Sequence, residues 1–377
     1  MPLAISRSKN GTTAVKMRIV IILCFSLVIS HSTFSQRSFS DDLHVHVSTN
    51  VGYNLPTYPF ISSNTNNIVS SVELSLFKET NGSNLWDEIY KYPDHGVSLF
   101  FSTLGNNEVF GRELALTYFF RKYLLRKEKF RLYTRIGIGL SYVNRKYKIE
   151  NNYLNVAVGS NLNIHFNYRL GASYALSDRY KLFGGISFDH LSNGNTAEPN
   201  LGLNYLTAFF GGSMALGEIT DKQENEIPVH KNRNSSILFA SMGGKHSRAL
   251  SAKFFLTSSL SYEFRRAFFR RLHFGIGADL FYDSSVQNSL EKQGEKFSSS
   301  DSFQTGIHIS QSIIYGKFML SLQEGIYIGL KERVDKYAVY TRGLVQYNFA
   351  KHWSLRVAMK SHFHILDYPE FGFGYKF

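Results

Sequence analysis

The sequence predicts an all-β protein: a transmembrane, antiparallel, up-and-down β-barrel of about 12–16 strands, or two eight-stranded halves in tandem. Three observations carry this. Apolar and polar residues alternate from about residue 41 to the last residue, the period-2 signature of strands with one face in each of two environments. The composition suits twisted sheet, with 23 Tyr, 32 Phe and 29 Gly against 7 Pro in 377 residues. The final segment, Phe371, Phe373, Tyr375 and Phe377 alternating with Gly372, Gly374 and Lys376, is an aromatic strand ending in Phe. Mean hydropathy is slightly negative, as expected where only alternate residues meet lipid.

The first element is a leader. Ile19–Ile29 is the one apolar run, preceded by Arg7, Lys9, Lys16 and Arg18 and followed by Ser30, Ser32, Thr33 and Ser35. That is the order of a secretory signal, too short to span a bilayer comfortably. Cleavage is expected after Ser35, making 1–35 the signal peptide. Met17 would open a more ordinary signal, so 1–16 is a candidate misassigned start. Cys24, the only cysteine, lies inside the apolar run, so a lipoprotein reading is weak and the mature chain has no thiol chemistry and no disulfide. Loss of the four leader cations takes the net charge from +13 to about +9. In an exported protein this surplus favours anionic headgroups rather than nucleic acid.

About sixteen strands follow. In 69–77, Val72, Leu74 and Leu76 oppose Ser71, Glu73 and Ser75; in 132–142, Ile136, Ile138, Leu140 and Tyr142 oppose Tyr133, Arg135 and Ser141. One face is apolar and the other carries isolated charges, which suits a lipid-facing wall around a polar lumen. Glu73, Glu113, Arg135 and Asp189 are read as a structural lumen network. With both termini periplasmic, the tight turns at 177–179, 315–316 and 350–352 fall on the periplasmic side, and the longer loops at 54–66, 147–159 and 284–300 fall outside. The basic clusters Arg121-Lys122, Arg126-Lys127, Lys129, Arg131, Arg265-Arg266 and Arg270-Arg271 then lie at periplasmic turns, where headgroups or periplasmic polymers are their expected partners. The polar stretch 218–232 divides 36–217 from 233–377 and is either a turn within one barrel or a connector between two.

The chemistry lies in one hairpin. In 181–194, Leu182, Ile186, Phe188, His190 and Ser192 share the apolar, lipid-side face, while Lys181, Ser187, Asp189 and Asn193 share the other. In 202–216, Asn204 shares its face with Leu206, Ala208 and Phe210. A hairpin centred near Ala197 sets Asn204 opposite His190, so three polar groups converge on a lipid-side patch. Ser192 is a candidate nucleophile, His190 its base, and Asn204 the group orienting the imidazole. Asn193 and Gly194 are candidate oxyanion donors. The bland alternative is a set of loop-forming residues at a strand end.

The string His190-Leu191-Ser192-Asn193-Gly194 followed by Pro199-Asn200-Leu201-Gly202-Leu203-Asn204 resembles the active-site hairpin of PagL-type lipid A 3-O-deacylases, outer-membrane barrels often grouped with acyloxyacyl hydrolases. Asn155-Val156-Ala157-Val158-Gly159-Ser160 and Leu176-Ser177-Asp178-Arg179 are also similar to the family, and the likeness runs over roughly 50–217. The resemblance implies that His190 is the base, Ser192 the nucleophile and Asn193 part of the oxyanion hole. It implies a Glu at position 204, where this chain has Asn; Glu198 is a possible substitute acid, and Asp189, facing the lumen, is a poor one. The implied reaction is removal of the 3-position ester-linked acyl chain of lipid A, with lipopolysaccharide and outer-membrane lipid as partners and the barrel-assembly machinery reading the last strand. No cofactor or metal is expected; His362 and His364, near Asp367 and Glu370, read as exposed loop residues. The alternatives are a non-catalytic barrel (a porin or lipopolysaccharide-binding protein) and a phospholipase. The sequence of 233–377 names no chemistry, and the segment would either widen one barrel or form a second.

Overall fold

The computed structural model describes residues 40–377 apart from 66–67, 232, 247–252, 330–333, 335–336 and 363–364. The expected leader and His364 lie outside the described residues. Among the described residues there are sixteen antiparallel strands, and they close as two rings of eight. The first ring comprises β1 (Leu43–Asn54), β2 (Val69–Glu79), β3 (Asp94–Ser102), β4 (Glu113–Arg126), β5 (Phe130–Val143), β6 (Leu162–Ala175), β7 (Tyr180–Ser192) and β8 (Leu203–Ala215), with β8 pairing back onto β1. The second comprises β9 (Asn234–His246), β10 (Phe254–Ala267), β11 (Leu272–Asp283), β12 (Phe303–Tyr315), β13 (Phe318–Ile328), β14 (Val339–Asn348), β15 (Trp353–His362) and β16 (Ile365–Lys376), with the aromatic β16 closing on β9. Of the two arrangements the sequence left open, the tandem one is present. Short helices α1 (Pro59–Ser62), α2 (Leu85–Ile89) and α3 (Ser285–Lys292) decorate the loops.

An eight-stranded ring is just wide enough for its inward side chains to meet across it, and charged and aromatic side chains cross both lumens. At the centre of the first, Glu73 accepts from Arg135 Nη1 at 2.6 Å and from Arg169 Nη2 at 2.8 Å. One layer above, Glu113 accepts from Ser141 Oγ at 2.6 Å and Tyr205 Oη at 2.7 Å and pairs with His165 at 2.8 Å, while the other imidazole nitrogen meets Asp189 at 3.2 Å. Phe77, Phe119, Tyr133, Phe183 and Phe209 pack the inner end. The expected lumen network is therefore present, with His165 and Arg169 as further members. The second lumen holds an independent network in which His308 bridges Asp279 at 2.6 Å and Glu263 at 3.3 Å, and Arg342 reaches Asp279 at 3.2 Å.

The basic clusters divide. Arg121 does not meet headgroups: it is buried inside the first ring, donating to Asp94 at 3.0 Å beneath Phe77 and Phe183. Arg131 turns to Glu79 at 3.4 Å, and Arg265 to the buried Glu263. A guanidinium at a strand end that faces inward finds a carboxylate closer than any headgroup. His362 likewise is not an exposed loop residue. It ends β15, is buried, and lies 3.3 Å from Asp367, which also accepts from Lys360 at 2.9 Å and Lys245 at 3.0 Å.

The connector at 218–232 is anchored to the inner end of the first ring. Asp42 accepts from the Thr220 N–H at 2.8 Å, and the Gln223 N–H donates to Asn81 O at 2.7 Å. The long inner connection between β2 and β3 carries α2, whose start is capped by Asn84 accepting from the Trp86 N–H. This helix touches the second ring: Tyr90 Oη donates to Ile314 O at 2.6 Å, and Tyr315 Oη donates to Asp87 at 3.0 Å.

Candidate active site

The candidate residues lie at the outer end of the β7–β8 hairpin. The ladder pairs His190 with Asn204 and Leu191 with Leu203, the register expected from the sequence. Because side chains alternate, His190, Ser192 and Asn204 fall on the outward face, while Asp189, Leu191 and Tyr205 are buried in the lumen. The imidazole stands between the other two groups: its Nδ1 is 2.7 Å from Asn204 Oδ1 and its Nε2 is 3.0 Å from Ser192 Oγ.

The orientation of Asn204 decides what this chain of contacts can do. Its Nδ2 donates to Thr57 Oγ1 at 2.9 Å, which turns Oδ1 toward the imidazole. The Leu55 N–H donates to Asn204 O at 2.7 Å, so the loop carrying Thr57 is tied to the same residue. A carbonyl oxygen only accepts, so Nδ1 carries the proton and donates. Nε2 then presents its lone pair to the Ser192 hydroxyl, the tautomer a general base requires. With the carboxamide reversed, the NH₂ would face Nδ1 and force the proton to Nε2, where it would abolish that function. Thr57 lies outside any periodic segment, so its part in the site had no sequence signal.

The loop after Ser192 is held in a compact turn. The Asn193 N–H donates to Asn200 Oδ1 at 2.9 Å, Asn193 Nδ2 donates to Ala197 O at 2.7 Å, and Asn193 Oδ1 accepts from the Thr196 N–H at 3.1 Å. Asn193 is thus buried and bound into the loop, with one amide hydrogen left over. Gly194 and Asn195 have φ of +67° and +64°, the left-handed conformation that favours glycine and asparagine. The Gly194 N–H has no partner among the described residues. Asn200 also lines the cavity beside Ser192, its carboxamide rotamer set by the bond from Asn193. Glu198 lines the same cavity, but the one Nδ1 proton of His190 is already directed at Asn204.

The second family-like segment packs beneath this loop. The Leu201 and Gly202 N–H groups donate to Val156 O at 3.3 Å and Ala157 O at 3.0 Å. A Cβ on Gly159 would lie 2.6 Å from Pro199 O, so only glycine permits this approach.

The patch does not face open lipid. The cavity at Ser192, about 720 Å³, is bounded by Ile164 and Phe166 of β6 and by Met359, Ser361 and Leu366 of the second ring. Alternation places His190 and Ser192 outward but is silent on what stands opposite. Among the described residues no cluster of three or more His, Cys, Asp or Glu side chains could hold a metal.

Two family models match the chain: lipid A 3-O-deacylase (PagL) over residues 70–213, and the C-terminal domain of acyloxyacyl hydrolase over 234–377. Between them they take in most of the sequence, one to each ring. Comparison with curated proteins gives no match. Among solved structures the chain is similar to Neisserial surface protein A, at 11% identity over 46% of this chain and 97% of that one, TM-score 0.32. It is also similar to the outer-membrane enzyme PagL, at 14% identity over 44% of this chain and 97% of that one, TM-score 0.28.

Proposed function

Because the chain belongs to the PagL family of lipid A 3-O-deacylases, ester-hydrolysing enzymes of the outer membrane, we propose that Ser192, His190 and Asn204 carry out its deacylation of lipid A. The observation that supports this reading is the continuous set of contacts from Thr57 through Asn204 and His190 to Ser192, which sets the imidazole tautomer needed for attack.

In this reading Ser192 Oγ attacks the carbonyl carbon of a sugar-linked acyl ester as His190 Nε2 takes its proton. The tetrahedral oxyanion forms beside the Gly194 N–H and the remaining amide hydrogens of Asn193 and Asn200, the available donors at the loop. Collapse breaks the bond to the sugar oxygen, which leaves with the proton from His190, and the acyl group stays on Ser192. Water then attacks the acyl-enzyme, giving its proton to His190, and the fatty acid departs as Ser192 is reprotonated. Asn204 holds the imidazole by its carbonyl, without the negative charge that the family's Glu brings. The resulting enzyme has correct geometry and reduced stabilisation of the imidazolium. The same reading includes export by a leader cleaved after Ser35 and recognition of the Phe377 strand by the barrel-assembly machinery.

The test is mass spectrometry of lipid A exposed to the purified protein. Wild type releases one acyl chain; Ser192→Ala, with the barrels intact by circular dichroism, slows release at least about a thousandfold. Continued release by Ser192→Ala, or release of fatty acid from phospholipid but none from lipid A, would overturn it.

A further inference from the structure

The second ring carries none of the candidate site residues, yet it stands against the face that bears Ser192. Along β15 the outward residues Trp353, Leu355 and Val357 are exposed, whereas Met359 and Ser361 are half-buried. Along β6, Tyr168 and Leu170 are exposed, whereas Ile164 and Phe166 are half-buried. The two rings thus cover one another's outer surfaces at the level of the catalytic hairpin. Contact is close: a Cβ built on Gly194 would lie 3.0 Å from Met359 Cε and 3.9 Å from Leu366 Cδ2.

Both ends of this junction are fastened. At the outer end Asn195 Nδ2, in the loop that follows Ser192, donates to Asp367 O at 2.9 Å. The Asp367 carboxylate is held in turn by Lys245 and Lys360. At the inner end Tyr90 and Asp87 bond to Ile314 and Tyr315, and the Tyr315 ring packs at 5.3 Å from both Tyr90 and Phe120. A gap pinned at two points has a set width, and its volume of about 720 Å³ is of the size that takes a small ligand. On its first-ring wall are Ser192, His190, Ile164 and Phe166; on its second-ring wall are Met359 and Leu366.

We propose that the second ring completes the active site: the acyl chain being cleaved lies in the cleft between the rings, and Met359 and Leu366 form the wall that selects its length. This rests on the assignment of Ser192 as nucleophile. A lone ring would expose that serine on a convex surface, where lipid tails compete equally for every apolar contact. A two-sided cleft gives the substrate chain a bounded apolar path that starts at the reacting carbonyl and descends in the direction lipid tails run. One wall alone cannot measure a chain; two walls with a set separation can, because a chain of the wrong length or width leaves a void or a clash.

The test uses the full-length protein in detergent, with p-nitrophenyl acetate and p-nitrophenyl dodecanoate as probes. Acetate reports the reacting groups, and dodecanoate reports the same groups plus the cleft. Met359→Trp, which fills the cleft from the second ring, is expected to lower the dodecanoate-to-acetate ratio of kcat/KM at least tenfold; Leu366→Trp does the same should Met359→Trp misfold. Ile309→Trp, on the exposed outer surface of β12, leaves the ratio at the wild-type value. An unchanged ratio in both cleft variants, or an equal loss on both esters, refutes the cleft while leaving the serine assignment standing if Ser192→Ala is inactive. Hydrolysis of both esters by Ser192→Ala refutes the nucleophile and the cleft together.

Discussion

Replacing Asn204 by aspartate exchanges one NH₂ for one oxygen at constant shape and isolates the missing charge of the site. The Thr57 hydroxyl, which accepts from Asn204 Nδ2 at 2.9 Å, rotates to become a donor to the new carboxylate, so the side chain stays anchored. The 2.7 Å contact to His190 Nδ1 is retained. In the transition state the imidazole becomes an imidazolium whose charge centre lies roughly 4 Å from that of the carboxylate, worth about 4 kcal/mol at an effective dielectric of 20. The pair is half-exposed, so screening and the stronger ground-state hydrogen bond reduce the differential to about 1–3 kcal/mol. Asn204→Asp should therefore raise kcat by roughly 5- to 150-fold. The rate of fatty-acid release from lipid A by the variant and the wild type measures it. A kcat that stays level or falls, with the fold intact, would show that His190 gains no positive charge in the limiting step.

Three further outcomes follow from the structure. Thr57→Val removes the acceptor that sets the Asn204 carboxamide; losing one hydrogen bond of about 0.5–1.5 kcal/mol lets the reversed amide compete, and kcat is expected to fall about 2- to 10-fold with KM little changed. In Asn204→Asp the carboxylate has no wrong orientation, so adding Thr57→Val there should cost less, which a double-mutant cycle on kcat reads directly. Glu73→Gln leaves Arg135 and Arg169 without their shared carboxylate inside the first ring. Breaking a buried ion pair in this way is expected to lower stability by about 3–5 kcal/mol, read from urea unfolding in lipid vesicles, with activity per folded molecule preserved.

Much of the site was legible because strand geometry is local. A period of two residues assigns each side chain to a face as soon as one apolar position is known. That parity put His190 and Ser192 on one side and Asp189 on the other, and it held in the structure because Leu191 and Tyr205 pack the lumen between them. The hairpin register followed from loop length, which is why Asn204 was expected opposite His190. The inward arginines show the limit of this reasoning. Arg121 and Arg131 stand near a turn in sequence, but their partners Asp94 and Glu79 lie on other strands, and charge runs do not reveal partners.

The sequence by itself pointed to about 12–16 alternating strands, their in-and-out faces, a polar stretch at 218–232 and the His190–Ser192–Asn204 constellation, since all of these depend on neighbours within one or two strands. Only the tertiary structure decided that β8 returns to β1 and β16 to β9, so that each lumen is narrow enough for side chains to meet across it. Likewise it alone brought Thr57 to Asn204, and Met359 and Leu366 to the cleft at Ser192. Alternation specifies which way a residue points, not what it meets. Ring closure joins strands at the two ends of each half, and the junction between rings joins surfaces that both read as lipid-facing; nothing in a period of two distinguishes lipid from a neighbouring barrel.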